Sequence, residues 1–218
     1  FNEEAALKIM LPNIPAVFDE VIVVDNASTD GSAQVAAGLG AKVVSEPNPG
    51  YGNAYKAGFA AATGDIIVTM DADDTYPIFA VEDLLREMRS RDLDFITVRR
   101  MHLNWEKTAN LIVRFIGKKT LDFTASILLM RMLHDSQSGM WIFRKDILRR
   151  LNLNSPGMPF SEEIKMEAFV KLGRRAAELP CEYKYRKREG KSKLNVFKDG
   201  FSNLFYLFAK RIELFRNR

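Results

Sequence analysis

Four apolar residues in a row, Val21-Ile22-Val23-Val24, break off at Asp25-Asn26, and the same shape recurs along the first half of the chain. Ala41-Lys42-Val43-Val44 is a second short run, and Ile66-Ile67-Val68-Thr69-Met70 a third that stops on Asp71. Asp94-Phe95-Ile96-Thr97-Val98 is a fourth. An unbroken, β-branched run has no polar face, so it predicts a strand buried on both sides, as inside a parallel sheet. Between the runs the spacing turns helical: over 5–18, over 32–39, from a Gly-rich loop at 48–53 to about Thr63, and over 80–91. This alternation predicts an α/β fold with a doubly wound, mostly parallel sheet. Ligands of such sheets sit beyond the carboxyl ends of the strands, which puts Asp25 and Asp71 at one crevice.

The second half is less regular. Residues 104–134 read as helical, 138–144 as a turn and a strand, 161–172 as a helix and 178–185 as a strand. A basic loop at 186–193 leads to a last helix from about 196. That helix places Phe197, Phe201, Leu204, Phe205, Phe208, Ile212 and Phe215 within an arc of roughly 100°, flanked by Lys198, Arg211 and Arg216. An aromatic stripe edged by bases suits a helix lying in a membrane interface. Packing on its own domain or on a second subunit would use the same stripe. Trp105, Ile112, Phe115 and Ile116 form a second candidate surface. The division expected is one domain over 1–195 and an amphipathic, interfacial helix over 196–218.

The 218 residues, 47% hydrophobic and 28% charged, suffice for one sizeable core. A single cysteine, Cys181, excludes an internal disulfide framework and makes a reducing, cytosolic-side setting the default. No run of about 18 apolar residues is present to span a bilayer, and no signal peptide is visible. A chain opening on Phe1 and not on Met leads to the expectation of further residues upstream. The net charge of +4 hides an asymmetry: from Lys184 onward eleven Lys/Arg face three Asp/Glu, so the first 183 residues are net acidic. A basic tail on an acidic body calls for an anionic partner, whether phosphates, acidic lipid heads or nucleic acid. Nucleic acid fits least, because the aromatics keep to one helical face and no familiar nucleic-acid motif occurs.

The sharpest chemical signal is Met70-Asp71-Ala72-Asp73-Asp74-Thr75-Tyr76-Pro77, directly after an apolar run. Carboxylates at i and i+2 on a strand end can present oxygens to one hard cation, Mg²⁺ or Mn²⁺, whose other positions stay open for diphosphate oxygens. Strand-end aspartates also simply cap turns. Asp71-x-Asp73-x-Thr75 resembles, in addition, the first motif of haloacid-dehalogenase-type phosphatases. Against that rival, no later strand ends in paired acids, and the motif does not open the domain. His102 and His134 read as surface or helix residues, since neither has a second ligand-type residue at helical spacing.

Six segments in order carry a family resemblance: Phe1-Asn2-Glu3-Glu4; Val23-Val24-Asp25-Asn26-Ala27-Ser28-Thr29-Asp30-Gly31; Asn48-Pro49-Gly50-Tyr51-Gly52-Asn53-Ala54; Asp71-Ala72-Asp73; Asp135-Ser136-Gln137-Ser138-Gly139-Met140; and Arg188-Glu189-Gly190-Lys191-Ser192-Lys193-Leu194. Together they resemble the family-two inverting nucleotide-sugar glycosyltransferases, in the branch similar to dolichol-phosphate mannose synthase and other polyprenyl-phosphate glycosyltransferases. The resemblance covers nearly the whole chain and implies the GT-A type of nucleotide-diphospho-sugar transferase fold.

It also implies roles. Phe1, Glu3, Val24 and Asn26 would contact the nucleotide, with Asp71 and Ala72. The family usually has a second Asp where Asn26 stands, and an Asn oxygen accepts a proton without supplying charge. Asp71 and Asp73, with Thr75 close by, would hold the metal and diphosphate. Arg100 would face the phosphates, and Ser138, Arg186, Arg188 and Lys193 would lie near the acceptor or diphosphate. Asp135 would be a base for a hydroxyl acceptor, or else the cap of the turn into Ser138-Gly139. An apolar strand ahead of Asn2-Glu3, present in the family, is missing here.

The expectation is therefore a metal-dependent hexosyltransferase moving sugar from a UDP- or GDP-linked donor to a polyprenyl phosphate, at the cytoplasmic face of a membrane. The same chemistry on a soluble or glycan hydroxyl is the alternative, as is a nucleotide-sugar-binding module without turnover. Neither the sugar, nor the base, nor the oligomeric state is readable from residue spacing.

Overall fold

The computed structural model describes residues 1–73, 76–100, 111–181 and 196–216; at 111–116 and 196–199 it describes the helical backbone alone. Helix α1 (Glu4–Met10) leads into strand β1 (Ile22–Asp25). The expected helix over 5–18 is shorter because Pro12 and Pro15 lack the N–H that an α-helix needs, and Leu11–Asn13 tightens into a 3₁₀ turn. There follow α2 (Ser32–Gly38), β2 (Lys42–Ser45), α3 (Tyr51–Ala61) and β3 (Ile66–Val68), close to the strand and helix positions read from the pattern. Then come α4 (Val81–Ser90), β4 (Phe95–Arg100), α5 (Leu111–Leu129) and β5 (Trp141–Arg144). The chain continues through α6 (Phe160–Leu172), β6 (Ala176–Cys181) and α7 (Val196–Arg216). Thr75, His102, Trp105, Arg186, Arg188 and Lys193 lie outside the described residues.

The strands form two groups. β1 and β2 pair in parallel, and β3, β5, β4 and β6 form a second sheet in that order. β4 and β6 are parallel, whereas β5 runs antiparallel to both β3 and β4. The sheet is thus mixed. The parallel pairing of β1 with β2 is what the continuous apolar runs predict, but β3, read from its run as parallel, pairs among the described residues only with the reversed strand β5, which is entered through the tight Ser138-Gly139 turn.

Alternation along β4 and β5 divides the core. Phe95, Trp141 and Phe143 face Phe59, Phe160, Phe169 and the inner side of α5, α6 and α7. Ile96, Val98, Met140 and Ile142 face Val81, Leu84 and Met88 of α4. The two-residue period of a strand requires this split, and helices on both faces are what the doubly wound reading expects. Each fully buried Phe contributes about 1.5–3 kcal/mol.

α7 sits on α5 and α6. Its inner row is Asn203, Leu207, Lys210 and Leu214, all buried. Lys210 meets Glu167 at 2.8 Å, Glu213 at 3.0 Å and Glu163 at 3.4 Å, and Tyr206 donates to Glu163 at 2.6 Å. The aromatic stripe instead points outward: Phe201, Phe205, Phe208, Ile212 and Phe215 are all exposed. On neighbouring α5, Phe123 and Ile127, one turn apart, are exposed as well. No described helix is long and apolar enough to cross a membrane.

Candidate active site

The first residues are stitched to the loop after β1. The Asn2 backbone N–H donates to Ser28 Oγ at 2.9 Å, and its side-chain oxygen accepts the Thr29 N–H at 2.8 Å. The Glu3 N–H donates to Ser32 Oγ at 2.9 Å, and the Gly31 N–H donates to Glu4 Oε2 at 3.0 Å. Two separate motifs thereby close on each other and set Phe1 and Glu3 on a crevice wall with Val24 and Asn26. Asp25, expected at the same crevice, is not on its wall; it accepts the Ser28 N–H at 3.3 Å and caps the turn.

Asn26 is buried and heavily used. Its amide donates to the carbonyls of Glu46 and Asn48 at 2.9 and 2.8 Å, and its oxygen accepts the Gly50 N–H at 2.7 Å. Both N–H groups are spent on bracing the 48–50 loop, so only a lone pair of Oδ1 remains for a nucleotide base. The loop's glycines answer a steric demand. A Cβ on Gly50 would lie 2.3 Å from the Pro156 carbonyl oxygen, and one on Gly52 would lie 2.1 Å from that of Ser155. Docked this way, the loop starts α3 at Tyr51 and aims two phenols, one turn apart, at the end of β3.

Those phenols surround Asp71. Tyr51 donates to Tyr55 at 3.4 Å, and Tyr55 donates to Asp71 Oδ1 at 3.2 Å. The Tyr76 hydroxyl accepts the Gly139 N–H at 2.7 Å. A Cβ at Gly139 would come 2.6 Å from the Tyr51 hydroxyl and 3.3 Å from Asp71 Oδ1, so only glycine lets the loop pass. Thr69 Oγ1 ties the same loop to β3, donating to the Gly139 carbonyl and accepting the Trp141 N–H, each at 2.9 Å. Burial first, and the Asp71 carboxylate next, push the Tyr51 and Tyr76 phenols well above their ordinary value. Burial, Tyr51 and Asp71 do the same to Tyr55. All three stay protonated.

Asp71, Ala72 and Asp73 line the crevice together. Two carboxylates suit an open site, in which a hard cation takes its remaining ligands from phosphate oxygens and water. Among the described residues no cluster of three or more His, Cys, Asp or Glu forms a closed cage. The donor set therefore fits Mg²⁺ or Mn²⁺.

Arg100, the last residue of β4 in the same sheet as β3, also lines the crevice. Its backbone N–H, Nε and Nη2 all donate to Asp135, at 3.1, 2.6 and 2.8 Å. Lys118 of α5 reaches the same carboxylate at 3.3 Å and Asp122 at 2.6 Å. Burial raises the Asp135 carboxyl, but Arg100 and then Lys118 more than reverse this and hold it well below the usual carboxylate range. So held, and 1% exposed, the Asp135 carboxylate is the counter-ion of Arg100 and Lys118. Ser138 is fully buried, its carbonyl accepts the Trp141 Nε1–H at 3.0 Å, and it shapes the turn into Gly139.

Sequence reasoning missed Lys118, Gln137 and a buried pair, Glu162 and Lys165. Lys165 donates to the Ser136 carbonyl and to Ser161 Oγ, while the Gln137 amide donates to Glu162 and accepts from Asn203 of α7 at 3.2 Å. Burial pushes the Glu162 carboxyl up to about 7, against the pull of Lys165. Ser161-Glu162-Glu163-Ile164-Lys165-Met166-Glu167 carries three Glu and a Lys, yet every one of these residues is buried. The whole crevice is about 1800 Å³ and continues past Gln137 to Gly117, Leu121, Phe201 and Leu204.

A family model described as glycosyl transferase family 2 matches residues 1–151. The chain belongs to this glycosyltransferase family. This family 2 chain is 31% identical over 214 residues to the low-salt glycan biosynthesis hexosyltransferase Agl6 of Haloferax volcanii, covering 95% of the chain and 51% of that protein. It is 30% identical over 205 residues to a dolichyl-phosphate hexose transferase of the same organism, covering 92% of the chain and 86% of that protein. The chain thus spans about half the length of Agl6. Glucosyl-3-phosphoglycerate synthase from Mycobacterium tuberculosis superposes with a TM-score of 0.75 at 21% identity, over 96% of this chain and 77% of that one. Its complex with Mn²⁺, uridine diphosphate and glucosyl-3-phosphoglycerate gives 0.73 at 21% identity, over 96% and 76%. These structures establish the GT-A type of fold.

Proposed function

We propose that this family 2 chain is an inverting, divalent-cation-dependent hexosyltransferase. Its donor is a UDP- or GDP-hexose and its acceptor a polyprenyl phosphate, met at the cytoplasmic face of a membrane. The observation that carries the reading is the meeting of Asp71, Asp73 and Arg100 at one crevice, brought there by the ends of two strands, β3 and β4, of the same sheet. The dolichyl-phosphate relative supports the acceptor, and the Mn²⁺ and uridine diphosphate of the structural neighbour support the cation and donor.

Asp71 and Asp73 would hold the cation, which when bound neutralises charge on the diphosphate. Tyr55 orients Asp71, and Phe1, Glu3, Val24 and Ala72 enclose the nucleoside. Thr75, Arg186, Arg188 and Lys193 belong to the same proposed site. An acceptor phosphate oxygen attacks the anomeric carbon, forming a new C–O bond as the bond to the donor phosphate breaks and its electron pair leaves with the nucleoside diphosphate. The attacking oxygen is already anionic, so the absence of a base at Asp135 costs nothing, and positioning with charge stabilisation supplies the rate. The outward aromatic row of α7, beside Phe123 and Ile127 of α5, supports docking to a lipid surface.

The test is a screen of UDP- and GDP-hexoses for nucleotide release, with polyprenyl phosphate and with or without Mn²⁺. Release that needs the cation, needs the lipid phosphate and disappears in Asp73→Ala is expected. Transfer only to soluble hydroxyl acceptors would overturn the acceptor, and cation binding that survives Asp73→Ala would overturn the metal site.

A further inference from the structure

The loop at 152–156 stands between α7 and the loop at 48–53. Glu163 of α6, fully buried, accepts the Asn154 N–H at 3.0 Å and the Ser155 N–H at 2.8 Å. The same carboxylate accepts the Tyr206 hydroxyl at 2.6 Å and meets Lys210 at 3.4 Å, both of them on α7. Lys210 also donates to the Asn152 carbonyl at 3.0 Å. Burial first, and Glu163 next, push the Tyr206 phenol up, so it stays protonated and donates. Held from behind in this way, the loop turns two carbonyls forward. That of Pro156 accepts the Asn53 N–H at 3.1 Å, and those of Ser155 and Pro156 leave no room for a Cβ on Gly52 or Gly50. The Gly50 N–H in turn donates to Asn26 on the crevice wall.

We propose that Glu163 is a positioning residue for the donor: through it α7 holds the 48–53 loop at the crevice, and nucleotide affinity depends on that hold. This rests on the reading of Val24, Asn26 and their neighbours as the nucleotide wall. A loop is fixed by the bonds it makes, and one left loose must be ordered when the ligand arrives, at the expense of affinity. A carboxylate suits the post. Its two oxygens offer about four acceptor sites, enough for two backbone N–H groups, a phenol and an ammonium together. An ion pair serving α7 alone would need only Lys210; the two loop amides are what tie the carboxylate to the crevice. The two ends of the donor respond differently. Asn26, braced by this loop, lies at the nucleoside end. Asp71 and Asp73 follow β3, and Tyr55 beside them is held by its ring contacts with Trp141 and Phe160.

Binding of UDP, GDP and pyrophosphate to the whole chain is measured by calorimetry with Mn²⁺, and amide hydrogen exchange over 50–53 is measured without ligand. Tyr206→Phe removes one hydroxyl and keeps the ring. It is expected to weaken the preferred nucleotide by about tenfold and to speed exchange at Gly50 and Asn53, with pyrophosphate binding unchanged. Glu163→Gln, which keeps one acceptor oxygen, is expected to do the same more strongly. Leu214→Ala empties a buried position on the same helix without touching Glu163. It should lower the melting temperature and leave nucleotide affinity and loop exchange as in wild type. Nucleotide binding by Tyr206→Phe at full strength overturns the proposal. An equal loss of nucleotide and pyrophosphate does so too, as does a loss in Leu214→Ala as large as in Tyr206→Phe, because either reduces the effect to general instability. Wild type that binds neither UDP nor GDP, while Tyr206→Phe still frees the loop, would sink the nucleotide reading and leave the hold of α7 on the loop standing.

Discussion

Arg100 grips Asp135 with three donors, its own backbone N–H and two guanidinium nitrogens, and in doing so turns a candidate base into a clamp. The carboxylate fixes the guanidinium that faces the crevice, and Lys118 shares it. The consequence is a defined pH dependence. The folded Asp135 carboxyl lies below its ordinary value of 3.8, so the unfolded chain takes up the proton first, and stability falls as pH drops below that value. Asp135→Asn should cost roughly 3 kcal/mol near pH 7, where it removes one partner of a buried pair. The gap between the two proteins should narrow as pH falls from the ordinary value through the folded one. Urea denaturation at stepped pH measures it, and a gap independent of pH would remove the clamp.

Tyr55 reaches Asp71 with its hydroxyl while its ring packs 5.0 Å from Trp141 and 6.0 Å from Phe160, centroid to centroid. Tyr55→Phe keeps the packing and deletes only the hydrogen bond. A partner that orients a metal-ligating carboxylate is typically worth about 10–100-fold in metal affinity. The expected result is Mn²⁺ binding weakened by about tenfold with the melting temperature of the metal-free protein nearly unchanged, read by calorimetry. Equal Mn²⁺ affinity in the variant would mean that Asp71 is oriented without Tyr55.

Phe205 is 73% exposed, and Phe215 is 70% exposed on the same helix. Replacing both with Glu removes apolar contact and adds negative charge, without touching the buried row of Asn203, Leu207, Lys210 and Leu214. Flotation with vesicles of anionic phospholipid should show wild type with the lipid and the double variant in the soluble fraction, while both melt alike. A variant that floats as wild type does would place the membrane surface elsewhere.

What the sequence made legible follows from the range of each interaction. Strands with both faces buried announce themselves as unbroken apolar runs, so β1, β2, β3 and β4 could be read off, and so could Asp71 and Asp73 as a strand-end pair. The direction of β5 could not, because Trp141-Ile142-Phe143 is equally apolar whichever way it runs. Asp25 seemed to belong to the crevice because it stands at the end of an apolar run, but its carboxylate is turned to the Ser28 N–H and caps the turn, a local contact that the strand-end rule does not see. Glu162 accepts from Gln137, and Lys165 donates to the Ser136 carbonyl and Ser161 Oγ in the interior, and nothing in a one-dimensional pattern separates that from a solvated helix. Tyr51 and Tyr55 carried a readable signal, two phenols at i and i+4 opening a helix. Their target was not readable, since Asp71 is brought to them by the sheet.

The edges of β1 and β3 pose the remaining question. Among the described residues β1 pairs only with β2, and β3 only with β5. Consecutive residues 21–24 and 66–70 all line the crevice, and since alternate residues point to opposite faces, it must run along the strand edges themselves. Two open edges with apolar flanks are a template for one more strand. Phe1 lies on the same wall. Joining a short β-branched segment directly ahead of Phe1 should therefore seat a strand there, and the amides of β1 and β3 should exchange hydrogen more slowly than in the unextended chain. The same segment carrying a central proline, which cannot donate to a ladder, should give no such protection. If both extensions leave exchange in β1 and β3 unchanged, the space between those edges belongs wholly to the ligand.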